Sequence, residues 1–244
     1  MLPIVNITIP SYIIFSTIGA VSAVIFLVYN MENYKIYFKQ LLVYIAVSSL
    51  TLIIGSRLLF VITMLPDIIK DFSINKLLYY IFSGGIVFYG GLLGMIFGIW
   101  ICSKVRKESV TNMFNFIAPA IPLFHFWGRI GCFFAGCCYG KENSWGVSMA
   151  ATPDTIRFPV QLFESFCNML IFISLVIVSK KFKNKNLMII YLTEYSICRF
   201  ILEFFRGDLV RGIWGVLSTS QIISLVILFA CILYETKTIN RKKA

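Results

Sequence analysis

Long apolar runs alternate with short polar ones along the whole chain, and the runs are of one characteristic length. An α-helix needs roughly 17–25 mostly apolar residues to cross the hydrocarbon core of a bilayer. Such stretches recur at roughly 12–30, 41–65, 85–102, 113–137, 160–179, 187–205 and 219–236. The pattern predicts an all-α, polytopic integral membrane protein with about seven transmembrane helices, built as a single membrane-embedded domain over residues 1–244. Pro119 and Pro122 fall inside the fourth run. A bundle tolerates them where neighbouring helices satisfy the freed backbone groups. The first run has no basic leader, since residues 1–11 carry no Lys or Arg, and reads as a retained helix rather than a cleaved signal peptide.

Composition agrees: 59% of the 244 residues are hydrophobic and 14% charged, more apolar material than a soluble domain of this size can bury. The net charge of +11 changes the picture only through its distribution. Counted over alternate loops, one side holds Lys35 and Lys39, then Lys104, Arg106 and Lys107, then Lys180, Lys181, Lys183 and Lys185, and finally Lys237, Arg241, Lys242 and Lys243. The other holds Lys70, Lys76, Lys141, Arg157, Arg206 and Arg211, nearly balanced by acids. Basic loops stay in the cytoplasm, so the N-terminus is expected outside and the C-terminus inside. The positive charge is then a matter of orientation and of attraction for anionic membrane lipids, and no nucleic-acid partner is implied.

Six charges remain within the apolar runs: Arg57, Arg129, Arg199, Glu164, Glu194 and Glu203. Each costs about 2.5–3.5 kcal/mol at the centre of a lipid-facing helix, so all are expected to face inward. They could neutralise one another as structural pairs, or together serve a ligand. Depth separates the two readings. In the predicted topology five of the six lie in one layer beneath the outer face, with Tyr89 at the same level. Glu194, nine residues before Glu203, lies about 13 Å deeper at about 1.5 Å per residue. His125, Arg129 and Cys132 are spaced i, i+4, i+7, and Arg199, Glu203 and Arg206 repeat that spacing. Each set is expected to line one helix face, the two converging on a polar chamber. Guanidinium groups there suit an anionic oxygen group such as a phospholipid phosphate, because Arg stays charged and presents a planar, bidentate fork.

Five stretches carry a resemblance. Gly128-Arg129-Ile130-Gly131-Cys132-Phe133-Phe134-Ala135-Gly136-Cys137-Cys138-Tyr139-Gly140 resembles the signature G-R-x-G-N-F-x-N-G-E-x-x-G of bacterial prolipoprotein diacylglyceryl transferases. Gly55-Ser56-Arg57 resembles that family's G-A-R, and Phe88-Tyr89-Gly90-Gly91 its H-G-G. The segment from Phe158 through Gln161 to Glu164 resembles H-P-x-Q-L-Y-E, and Arg199 to Arg206 resembles R-F-x-x-E-F-F-R. The resemblance covers about residues 50–225. It implies a multi-pass protein of the bacterial plasma membrane, with its active site toward the outer leaflet. The implied reaction moves the diacylglyceryl group of phosphatidylglycerol to the lipobox cysteine of a prolipoprotein signal peptide.

By the same resemblance Arg129 and Arg199 hold the phosphate, and Glu203, Glu164, Arg206 and Arg57 support them. Gly90 and Gly91 allow close backbone approach, while Gly128, Gly140 and Gln161 complete the motifs. Where the family has its histidine this chain has Tyr89; the signature's two Asn are Cys132 and Ala135, and its Glu is Cys137. His125 and Tyr89 are therefore both candidates for the proton step, with Glu203 beside them as a further catalytic candidate. No metal or soluble cofactor is implied. For Cys132, Cys137 and Cys138 four readings stay open: inert buried thiols, a disulfide between Cys132 and either neighbour, a zinc site, which lacks the C-x2-C spacing, and a covalent lipid-thioether relay. Two rival functions also stay open, the same lipid donor with another acceptor (a surface glycan or another peptide) and a lipid or solute transporter, which would favour a polar path through both leaflets.

Overall fold

The computed structural model describes residues 10–82, 85, 87–149, 152–182, 185–207, 213–214 and 216–243. Residues 1–9 and the basic residues Lys183 and Arg211 of the charge count lie outside the described residues. The chain is all-α with two small hairpins: α1 (Ser11–Asn30), α2 (Phe38–Lys70), α3 (Ile74–Phe82), α4 (Phe88–Val105), α5 (Val110–Ile117), α6 (Ala120–Ala135), β1 (Glu142–Met149), β2 (Thr152–Arg157), α7 (Val160–Lys181), α8 (Leu187–Leu202), β3 (Ile213–Trp214), β4 (Leu217–Ser218) and α9 (Thr219–Lys243). Six segments are long and apolar enough to cross a bilayer: Ser11–Asn30, Phe38–Leu65, Phe88–Val105, Val110–Ala135, Val160–Lys181 and Thr219–Thr238. The remaining run, the sixth, folds as the sixteen-residue α8.

Two details differ from the sequence pattern, each for a local reason. The fourth run is not one helix but α5 and α6, broken at Ala118 and Pro119. Proline has no N–H to continue the ladder and clashes with the preceding turn. It suits the start of a new helix, where Pro119 caps α6 and Pro122 lies in its first turn. The sixth run stops as an α-helix at Leu202; Glu203–Phe205 tighten into a 3-10 turn and Arg206 is extended (φ −73°, ψ 141°). Arg206 therefore does not continue the Arg199–Glu203 helix face as its spacing predicted.

The chain divides into two compact units, residues 30–114 and residues 1–29 with 115–244. In the first, α2 and α4 pack through a seam of small residues. Gly90, Gly94 and Gly98 recur every fourth position on α4, and side chains added at Gly55, Gly90 or Gly94 would run into the backbone of the facing helix. Small residues at this spacing let membrane helices approach closely enough for dispersion to hold them together. The ends of this unit are tied by polar contacts. Tyr44 bonds Ser103 (2.8 Å) and donates to Glu108 (2.7 Å), while Tyr80 of α3 donates to Asp67 near the end of α2 (2.7 Å), which also pairs with Lys76 (3.1 Å).

In the second unit α6, α7, α8 and α9 form the frame of the site. Asn186 caps α8 by accepting from the N–H groups of Met188 and Ile189. The β1–β2 hairpin between α6 and α7 is antiparallel with two register irregularities. Gly136 ends α6 in the left-handed region (φ 70°), where a glycine cap costs least. The chain then makes a tight turn: Gly140 N–H donates to Phe158 O, Lys141 N–H to Phe205 O and Gly207 N–H to Tyr139 O. A side chain at Gly140 would strike the Phe158 carbonyl, so this glycine lets three segments cross within hydrogen-bonding distance.

Candidate functional site

The two residue stripes meet on α7. Glu164, in the first turns of α7, faces Arg129 of α6 at 2.5 Å, Arg199 of α8, and Arg206 beyond α8 at 3.8 Å. Arg199 also pairs with Glu203 one turn on (2.7 Å) and donates to Ser220 of α9 (3.2 Å). All five charged side chains are buried. Arg206 reaches the cluster by a different route from the one its spacing suggested, through a backbone bridge with Gly140 after α8 has ended. Glu194 stands apart from these contacts, its carboxylate accepting from Ser174 (2.7 Å).

Among the described residues, three guanidinium groups face two carboxylates in this cluster. A buried charge is tolerable only when paired and hydrogen-bonded, so the arrangement suits an anion, and the planar forks favour an oxyanion. Space adjoins it on two sides. A side chain added at Gly128, immediately before Arg129, would meet nothing within 4 Å. A small crevice of about 10 Å³, room for no more than about one water molecule, is lined by Glu164, Asn168, Tyr195, Cys198 and Arg199.

His125, one turn below Arg129 and buried, accepts a hydrogen bond at Nε2 from Arg129 Nε (3.1 Å). An imidazole that accepts there is neutral, with its proton on Nδ1. Its ring lies 5.4 Å from that of Tyr195, which stacks on Tyr191 (5.8 Å). Gln161, fully buried, donates to the Cys137 carbonyl (2.7 Å) and so holds the turn after α6 against the start of α7. That turn brings the thiols of Cys132, Cys137 and Cys138 together, all three sulfurs within 4.8 Å of one another. The seven cysteines are free. Cys138, with φ 57°, has a thiol held well below the usual thiol range by hydrogen bonds from Cys132 and Cys137 and by the nearby Arg129 and Arg206.

Of the residues singled out from sequence, Arg129, Arg199, Glu164, Glu203, Arg206 and His125 thus gather in one network, with Gly128 beside it and Gly140 and Gln161 shaping its edge. Arg57, Tyr89, Gly90 and Gly91 belong to the other unit. There a side chain added at Gly90 would strike Gly55, and one added at Gly91 would press against Leu52. Sequence reasoning passed over Asn168, Tyr195 and Ser220. The first two carried a usable signal, because Asn168 follows Glu164 and Tyr195 precedes Arg199 by four residues, hence on the same helix faces. Ser220 had none.

The fold and this cluster define a class: a polytopic α-helical membrane protein with an arginine-rich polar site buried among its helices. The profile of the prolipoprotein diacylglyceryl transferase family matches residues 1–236. The chain is 35% identical over 199 residues to phosphatidylglycerol–prolipoprotein diacylglyceryl transferase 2 of Clostridium perfringens, covering 78% of this chain and 76% of that one. It is 35% identical over 180 residues to the phosphatidylglycerol–prolipoprotein diacylglyceryl transferase of Clostridium tetani (71% and 70% covered), and 29% identical over 220 residues to that of Legionella pneumophila (86% and 85%). The chain belongs to the prolipoprotein diacylglyceryl transferase family.

Proposed function

We propose that this protein transfers the diacylglyceryl group of phosphatidylglycerol to the lipobox cysteine of a prolipoprotein. The observation that carries the reading is the convergence of Arg129, Arg199 and Arg206 on Glu164 and Glu203 among the described residues, since clustered guanidinium forks suit a phosphodiester anion. In the reaction the acceptor sulfur bonds to the glycerol carbon, the bond from that carbon to the phosphate oxygen breaks, and glycerol phosphate leaves. Charge accumulates on the departing phosphate, where preorganised donors lower the barrier. Arg129 and Arg199 supply those donors, Glu164 and Glu203 hold them in place, and Gly128 leaves room beside Arg129. The family resemblance alone assigns Arg57, Gly90 and Gly91, in the unit of residues 30–114, to substrate binding.

The acceptor thiol must lose its proton, and His125 and Tyr89 are the two groups proposed to take it, with Glu203 as a further candidate. His125 does so only after giving up the hydrogen bond it accepts from Arg129. Seven crossings, an N-terminus outside and a site opening to the outer leaflet complete the proposal. They follow from the basic loops and from an acceptor that arrives on the far side of the membrane.

Purified protein in phosphatidylglycerol vesicles, given a peptide with a lipobox cysteine, tests the reading. The peptide is expected to gain the mass of one diacylglyceryl group while glycerol phosphate is released in equal amount. Lipid that crosses the bilayer unmodified, with the peptide unchanged, would overturn it.

A further inference from the structure

Outside the guanidinium network, the densest group of reactive side chains is the thiol triad at the end of α6. Cys132 lies in the last turn, buried; Gly136 then turns the chain in the left-handed region, and Cys137 and Cys138 follow, the first exposed and the second half-buried. The turn is held in place: Cys137 N–H donates to the Cys132 carbonyl (3.2 Å), and Gln161 donates to the Cys137 carbonyl (2.7 Å). Two residues further on, Gly140 is bridged to Arg206. A helix that continued past Ala135 would carry Cys137 and Cys138 around its axis and away from Cys132. The glycine cap is what folds them back.

We propose that Cys132, Cys137 and Cys138 form a binding site for one thiophilic d10 cation, zinc or copper(I), held by three thiolates. A metal–sulfur bond of about 2.3 Å sets ligand sulfurs ~3.8–4.0 Å apart in tetrahedral or trigonal geometry. The three sulfurs lie within 4.8 Å of one another, so side-chain adjustments of under about 1 Å bring them to that spacing. Thiolates select soft cations over magnesium or calcium. Arg129, one turn before Cys132 on α6, and Arg206, bridged to Gly140 two residues beyond Cys138, bring positive charge to this end of the helix. Among the described residues the site has three protein ligands, and its Cys137 side is exposed. The remaining coordination position therefore opens to solvent, as in sites where a metal receives water or an outside thiol rather than in closed structural ones.

The test uses the whole chain, purified in detergent, fully reduced and stripped with a chelator, then titrated with zinc ion in competition with a chromophoric chelator. Copper(I) is titrated separately, and cobalt(II) serves as a spectroscopic stand-in. One equivalent per chain is expected, with cobalt giving sulfur-to-metal charge-transfer absorption. Cys137→Ser and Cys138→Ser are each expected to weaken binding by about 100-fold or more, while Cys102→Ser and Cys231→Ser leave it unchanged. Because Cys132 is buried, the exposed Cys137 provides the variant least able to disturb folding, and thermal melting of the metal-free proteins checks this. Reduced protein that binds neither zinc nor copper(I) overturns the proposal. So does stoichiometric binding that survives both serine changes. A protein isolated with two of these cysteines joined in a disulfide, and unable to take metal after reduction, also overturns it.

Discussion

Glu164 touches three arginines, and its loss should be felt twice. Removing one partner of a buried ion pair costs about 3–5 kcal/mol, since the other charge is left uncompensated. Glu164→Gln, which leaves Arg129, Arg199 and Arg206 against Glu203 alone, is expected to lower the melting temperature of the detergent-solubilised protein markedly as well as to abolish transfer. Arg129→Lys and Arg199→Lys keep the charge but lose the fork. They should insert and fold normally, with transfer to a lipobox peptide reduced at least ~100-fold, the cost of removing a preorganised donor. Gly128 gives a contrary case. Alanine in a helix interior is better than glycine by about 1 kcal/mol, and nothing stands within 4 Å of the added carbon. Gly128→Ala should therefore melt no lower than the natural protein, while Gly128→Leu, filling the space beside Arg129, should raise the KM for phosphatidylglycerol. His125→Gln retains an acceptor for Arg129 and removes a base, so a fall in kcat of roughly 100-fold or more is expected, in line with general-base catalysis. An unchanged rate would give the proton to Tyr89.

Among the elements, the seam between α2 and α4 is the most sharply constrained. Leucine at Gly55 or Gly94 would place a branched side chain where the facing backbone already lies, and either substitution is expected to reduce the yield of folded protein measured by size-exclusion chromatography. The end of α2 offers a pH test. Hydrogen bonds from Tyr80 and then Lys76 hold the Asp67 carboxyl below its ordinary value. A depressed carboxylate contributes stability that is complete above its unfolded pKa of roughly 4 and is lost as pH falls through the lower folded value. Amide exchange in α3 should thus accelerate below about pH 4, and in Asp67→Asn that acid sensitivity should be absent. The helices themselves were plain in the sequence because their apolar runs match the membrane's thickness. The β1–β2 hairpin was not: nearly all of β1 is exposed, so no apolar alternation marks it, and its existence depends on tying the end of α6 to the start of α7.

For the molecule as a whole, orientation and activity are the measurable properties. Reporter fusions after Lys107, Lys185 and the C-terminus should report the cytoplasm, and one after Asp154 the outside; the reverse pattern would overturn the proposed topology. The fold class, the family and most of the charged residues of the buried cluster were legible in the sequence alone. Each of these is a local or compositional property: a run is as long as a bilayer is thick, and an arginine in an apolar run is conspicuous wherever it ends up. What only the tertiary structure decided were the relations among them. Spacing alone placed Arg206 on a helix face that ends before reaching it, yet the return of the chain past Gly140 brings it to Glu164. Glu164 became the centre because it starts the helix that α6 and α8 both flank, and Cys132, Cys137 and Cys138 became neighbours because a glycine reverses the chain between them. Such contacts join residues far apart in sequence or across a turn, and no periodicity within a single segment encodes them.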